Sequence, residues 1–201
     1  KKHKRIIFNG NGYNDEWIEE ATDVRGLLNL RSTPEALTMY LTEKNIELFK
    51  IHHVYTETEM RSRYEIMLEN YVKIVNIEAL TMLDMAHKDI LPAMSGYSKE
   101  LADAALEKKK LSEDIDTTYE TETVKALGNL LGNTYSNVKK LEADLYTAKS
   151  ITSSVELADY YKDFILADMS ALRASADEME TMASSEKWPY PSYGDLLFGV
   201  R

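Results

Sequence analysis

Apolar residues in the second half of the chain fall on alternating steps of three and four. Val124, Leu127, Leu131, Val138, Leu141, Leu145 and Ala148, with Thr134 filling one position, form the seam of a coiled-coil-like helix. Ala158, Tyr161, Ile165, Met169, Leu172, Ala176 and Met179 give nearly the same seam. Each helix has a start signal, Thr117-x-x-Glu120 and Ser153-x-x-Glu156, in which a hydroxyl and a carboxylate can cap each other's backbone. The loop between them is short, so the two helices must lie antiparallel. Upstream, Thr56-x-x-Glu59 opens a longer helix that runs to about Leu111. Its only strong breaker is Pro92, which cannot bond the Lys88 carbonyl, so a kink is expected there.

The first part of the chain reads as short pieces. Arg5-Ile6-Ile7-Phe8 predicts a short strand, and Asn9-Gly10-Asn11-Gly12 a turn. A short helix follows from about Asn14, with Asp15 and Glu16 in its first turn and Gly26 at its end. Ser32-Thr33-Pro34-Glu35 starts a second, and Thr42 caps a third that runs through Phe49 and ends at His52-His53. After Trp188 the pattern changes to Trp-Pro-Tyr-Pro-Ser-Tyr, which cannot begin a regular helix and predicts an extended tail. The expected fold is mainly α. Short helices precede an antiparallel bundle of long helices, the first of them kinked, with an aromatic and proline-rich C-terminal tail. Residues 1–40 are expected to end or link from a preceding domain, residues 41–201 to form the bundle domain, and residues 186–201 to be its docking tail.

Composition narrows the function. The 201 residues carry a formal charge of −10, which disfavours a nucleic-acid partner because phosphates are repelled over most of the surface. With no cysteine, a disulfide scaffold, a zinc ribbon and a thiol nucleophile are excluded for this stretch. No uninterrupted apolar run is long enough to span a bilayer, so no membrane partner is expected. The first residues, Lys-Lys-His-Lys-Arg, lack the apolar run of a secretory signal.

Three patterns are candidate chemistry. Residues 79–94, ALTMLDMAHKDILPAM, are apolar almost all round, yet Asp84 and His87 stand three apart, a spacing that places two metal ligands on one helix face. A carboxylate-bridged metal bundle needs a second such motif, and none of the other three histidines, His3, His52 and His53, supplies it. The expected reading is a core helix whose Asp84 and His87 make local hydrogen bonds or face another subunit. Strand, Gly10-x-Gly12 and helix outline a dinucleotide loop, but Asp15 occupies the third glycine's place and would repel a pyrophosphate, so a tight turn is expected. Gly128-x-x-x-Gly132 is expected to let two helices approach closely. No catalytic, cofactor-binding or metal-binding residue is assigned.

Four segments resemble the C-terminal region of type III glutamine synthetases: KRIIFNGNGYNDEWIEEA (4–21), RGLLNLRSTPEAL (25–37), RSRYEIMLENYVKIVNIEALTMLDMAHKDILPA (61–93) and WPYPSYGDLLFGV (188–200). They fall in order and span nearly the whole chain; between Ser112 and Lys187 the likeness is only a helical pattern. Thr22-Asp23-Val24 departs from the more charged run expected there, on an exposed helix. The resemblance implies a cytoplasmic parent enzyme that ligates ammonia to glutamate through γ-glutamyl phosphate, using ATP and Mg²⁺ or Mn²⁺, in hexameric rings with active sites between subunits. It also implies that the ligands for nucleotide, metal and glutamate lie upstream, so no cofactor is expected on this fragment and the fragment alone is expected to be inactive. Its expected partners are its own catalytic domain and other subunits of a homo-oligomer. The alternative is a free-standing helical-bundle interaction module.

Overall fold

A computed structural model describes His3 and residues 6–199. The chain divides into two compact units, Lys1–Met67 and Leu68–Arg201. Among the described residues there is no strand, and the fold is mainly α.

The first unit holds short helices. Helix α1 (Asp15–Glu19) passes directly into a π turn (Glu20–Val24), and Gly26, at φ +65°, reverses the chain. That angle is the left-handed region, which a glycine enters without the Cβ clash other residues meet. The expected strand does not form among the described residues. The Ile6 N–H donates to the His3 carbonyl at 3.1 Å in a tight turn, and Arg5 lies outside the described residues. An isolated apolar triplet has no sheet to join, and the Phe8 ring packs against Trp17 instead, centroids 4.7 Å apart and tilted by 40°. Helix α2 (Thr33–Thr38) is capped as expected, Ser32 Oγ accepting the Glu35 N–H at 3.4 Å. Helix α3 (Glu43–Ile51) follows Thr42, whose hydroxyl donates back to the Met39 carbonyl and makes no cap bond. It ends in a double bond closure, His53 N–H to the Lys50 carbonyl and Val54 N–H to Phe49, with His53 at φ 52°.

Helix α4 (Glu57–Met85) starts at the predicted capping box. Glu59 Oε2 accepts the Thr56 N–H at 2.7 Å, and Thr56 Oγ1 accepts the Glu59 N–H at 3.3 Å. The chain stays helical through a π turn (Ala86–Ile90) into α5 (Leu91–Leu111), and Pro92 sits in the first turn of α5. The expected interruption therefore takes the form of a wider turn, placed where the proline's missing N–H falls.

The second unit is a three-rod antiparallel bundle. Its centre is α6 (Thr118–Ala148), packed between the α4–α5 rod and a third rod made of α7 (Ser154–Tyr160), a π turn (Tyr161–Ile165) and α8 (Leu166–Met182). One core cluster joins Val75, Ala79, Leu83, Val138, Leu141, Leu145, Ile165 and Leu172. The other joins Ile90, Met94, Tyr97, Leu127, Leu130, Ala176 and Met179. The seams hold, with two adjustments: Leu130 is buried in place of Leu131, and Asp168 in place of Met169, which packs on the edge. The predicted cap at Thr117 does not form. Asp116 accepts the Thr118 N–H at 2.8 Å, leaving Glu120 free to turn inward and pair with Lys108.

The tail is not extended throughout. Trp188 and Tyr190 pack on the second core cluster, and Lys187 pairs with Glu100 at 2.7 Å. Ser192 and Asp195 then complete a capping box, and Tyr193–Phe198 form a short helix, α9. Among the described residues no helix is long and apolar enough to cross a membrane.

Candidate functional site

The two residues that opened the metal question part company. Asp84 pairs with Lys88 one turn along the same rod. His87 Nε2 lies 2.8 Å from Glu142 Oε1 on α6, and Lys139 holds the other carboxylate oxygen at 2.7 Å. Lys139 first, and His87 second, hold the Glu142 carboxyl below the usual range. Among the described residues no three His, Asp or Glu side chains converge on a point that could hold a metal. Gly10 serves a turn: Asn11 Oδ1 accepts the Tyr13 N–H at 3.1 Å, and a Cβ on Gly10 would stand 2.6 Å from the Phe8 ring.

The glycine pair on α6 corrects an expectation. Gly128 and Gly132 are exposed, and a Cβ on either would meet nothing within 4 Å. Among the described residues no helix packs on them, because the buried seam of α6 runs through Leu127, Leu130 and Thr134 instead.

Two features were not anticipated. The first is a buried acid pair. Asp168, 2% exposed, sits on the third rod facing α6; one oxygen pairs with Lys140 and the other has no hydrogen-bond partner. Its neighbour Asp144 accepts a hydrogen bond from the Tyr160 hydroxyl at 2.9 Å. Burial, then the neighbouring Asp144 carboxyl, pushes the Asp168 carboxyl up, and Asp168 beside it holds Asp144 down. A signal existed: Tyr161, Ile165, Asp168 and Leu172 keep the alternating step exactly as well as the series through Met169.

The second is an apolar groove of about 510 Å³ between the π turn of the first rod and α8. Met82, Met85, Ile90, Leu172 and Ala176 line it, together with Trp188, Tyr190 and Tyr193. The Tyr190 hydroxyl donates to Asp89 at 2.9 Å, which ties the tail to the rod; burial, then Asp89, pushes that phenol up to about 12. Arg173, Asp177 and Glu180 line it as well. Helix α4 also has a bare side. Val75, Ala79 and Leu83 face the core, but Ile74, Ile77 and Leu80 on the opposite face are 58%, 63% and 52% exposed. Bare apolar surface of this kind is what contacts between proteins commonly cover.

The comparisons agree with a helical appendage of a larger enzyme. Residues 1–109 match the family described as the glutamine synthetase C-terminal domain, and the chain belongs to that family. It is 40% identical over 199 residues to a glutamine synthetase of Butyrivibrio fibrisolvens, covering 99% of this chain and 28% of the relative. It is 33% identical to a type-3 glutamine synthetase of Dictyostelium discoideum, covering 98% of this chain and 27% of the relative. A glutamine synthetase of Bacteroides fragilis (strain YCH46) is 29% identical over 197 residues. The chain thus spans little more than a quarter of the length of these relatives.

Proposed function

We propose that this chain is the non-catalytic, C-terminal helical part of a glutamine synthetase and that it serves assembly. One observation carries the reading: on the side of α4 that the bundle does not cover, apolar side chains stand exposed. Apolar surface of that kind is normally covered by other protein. Ile74, Ile77 and Leu80 are left bare, and the rest of the parent polypeptide is the natural source of cover. Residues 1–40 complete the catalytic domain in this reading, and residues 41–201 form the helical domain. ATP, Mg²⁺ or Mn²⁺ and glutamate bind elsewhere in the parent, which is cytoplasmic and forms hexameric rings.

Two measurements test this. The isolated chain, given glutamate, ATP, Mg²⁺ and hydroxylamine, is expected to form no γ-glutamyl hydroxamate; turnover would overturn the non-catalytic assignment. In the full-length parent, Ile77→Lys is expected to shift the assembly toward smaller species in analytical ultracentrifugation. An unchanged assembly after both that change and deletion of residues 68–201 would remove the assembly role.

A further inference from the structure

Residues 26–31, between the π turn (Glu20–Val24) and α2, form neither helix nor strand. The span is fixed at both ends. Arg25 Nε and Nη2 both donate to Glu20 Oε1, the guanidinium lies 5.1 Å from the Trp17 ring centre, and Gly26 then reverses the chain. At the far end Ser32 caps α2 and Pro34 is buried. Between these anchors the backbone is left to water. The Leu27 N–H donates to the Ala21 carbonyl at 2.8 Å, but among the described residues no backbone hydrogen bond involves Leu28, Asn29, Leu30 or Arg31. The side chains are uncovered too: Leu27, Leu28 and Leu30 are 52%, 68% and 38% exposed.

One contact supplies both needs. Along a β-strand successive side chains point to opposite faces, which sets Leu28 and Leu30 on one face and Asn29 and Arg31 on the other. That is the alternation of a strand with one covered face, over an ordinary strand length. Addition to a sheet edge gives the backbone its hydrogen bonds and the leucines their cover together. Because both ends of the span are already held, little ordering remains to oppose docking. Among the described residues this chain has no strand, so a second copy offers no formed sheet edge. The chain covers 28% and 27% of two relatives and matches a family described as a C-terminal domain, so most of the proposed parent lies ahead of it. Arg25 Nη2 also donates to the Ile7 carbonyl at 3.3 Å, which brings the chain in from that side next to the span.

We propose that residues 27–31 add as an edge strand to a β-sheet in the part of the same polypeptide that precedes Lys1. The proposal rests on the reading that this chain is the C-terminal part of a glutamine synthetase, and it names the contact through which residues 1–40 join the rest. The full-length parent is the material for two tests. In the first, a benzophenone amino acid takes the place of Leu28, and the tagged probe chain is co-expressed with excess unmodified chain carrying a second tag. Irradiation is expected to give an adduct that closes within one polypeptide and maps to a peptide preceding Lys1. An adduct carrying both tags, one that falls only within residues 41–201, or no adduct overturns the proposal. In the second, hydrogen exchange is resolved to single amides. An edge strand bonds every second N–H, so two alternate amides among Leu28–Arg31 are expected to exchange about a hundredfold more slowly than the other two. One common rate across the four, fast or slow, overturns the strand. Either failure alongside a shift of the assembly on Ile77→Lys would leave the assembly reading standing and remove this contact alone. Hydroxamate formed by the isolated chain would instead remove the non-catalytic reading.

Discussion

Replacing Asp168 by Asn keeps the shape of the buried side chain and removes its titration. The native carboxyl is 2% exposed, with one oxygen on Lys140 and the other unpartnered. Burial is the main cause that raises its pKa above the ordinary value of 3.8, and Asp144 adds to it. A carboxyl raised in the folded state holds its proton more tightly there than in the unfolded chain. Its stabilising contribution is complete below the ordinary value and is lost as pH rises through the folded one. The Asn variant has no such dependence. The stability of the wild type minus that of Asp168→Asn should therefore fall as pH rises through this window, with a slope no steeper than about 1.4 kcal/mol per pH unit. At neutral pH the variant should match or exceed the wild type. Lys140 is 65% exposed, so losing its partner returns it to water at little cost. Urea titrations followed by far-UV circular dichroism, at steps from about pH 4 to about pH 8, measure both curves. Parallel curves, or an Asn variant that is markedly weaker at neutral pH, would show that Asp168 is ionised and stabilising, and the reasoning would fail.

Three further changes probe the packing. Leu141→Ala, at a site with no solvent exposure in the first core cluster, should cost about 2–5 kcal/mol in the same urea assay, and a loss below about 1 kcal/mol would mean that cluster is not close-packed. Gly128→Ala and Gly132→Ala, where an added methyl meets nothing within 4 Å, should each raise stability by roughly 0.5–1 kcal/mol; a loss in the isolated chain would show a contact absent from this structure. Ser153→Ala removes the hydroxyl that accepts the Glu156 N–H and should cost about 1 kcal/mol in thermal denaturation; an unchanged midpoint would show that this cap does not hold the helix start.

What the sequence made legible followed from repetition. The seams of α6 and of the third rod repeat over many turns, so one misplaced position, such as Leu131 for Leu130, does not change which face is buried. Local capping chemistry was equally legible where nothing competed, at Ser32, Thr56 and Ser153. It failed at Thr117 because a tertiary partner intervened: Lys108, more than three turns away in sequence, claims the Glu120 carboxylate. The short strand failed for the opposite reason, since a strand requires a pairing edge that no local pattern encodes. Asp168 was passed over because a polar residue on an apolar seam looks like a phase error until its partners on the neighbouring helix are known. The groove could not be read at all, because residues separated by about a hundred positions form its two sides.

Two of the π turns, Ala86–Ile90 and Tyr161–Ile165, bear on how the bundle can change in length. Each lies in a rod that flanks α6, and each lets the helix hold one residue more than a plain α turn would. An α-helix advances about 100° per residue, so every side chain beyond such a turn is rotated by that amount relative to an uninterrupted rod. A single-residue deletion at Lys88 or Lys162 would leave the helix intact but turn its entire downstream half away from α6, carrying Met94 or Met179 out of the core. The outer rods are therefore counted as well as patterned: within them a lineage can exchange residues freely on the exposed face, but it can gain or lose length only in the loops.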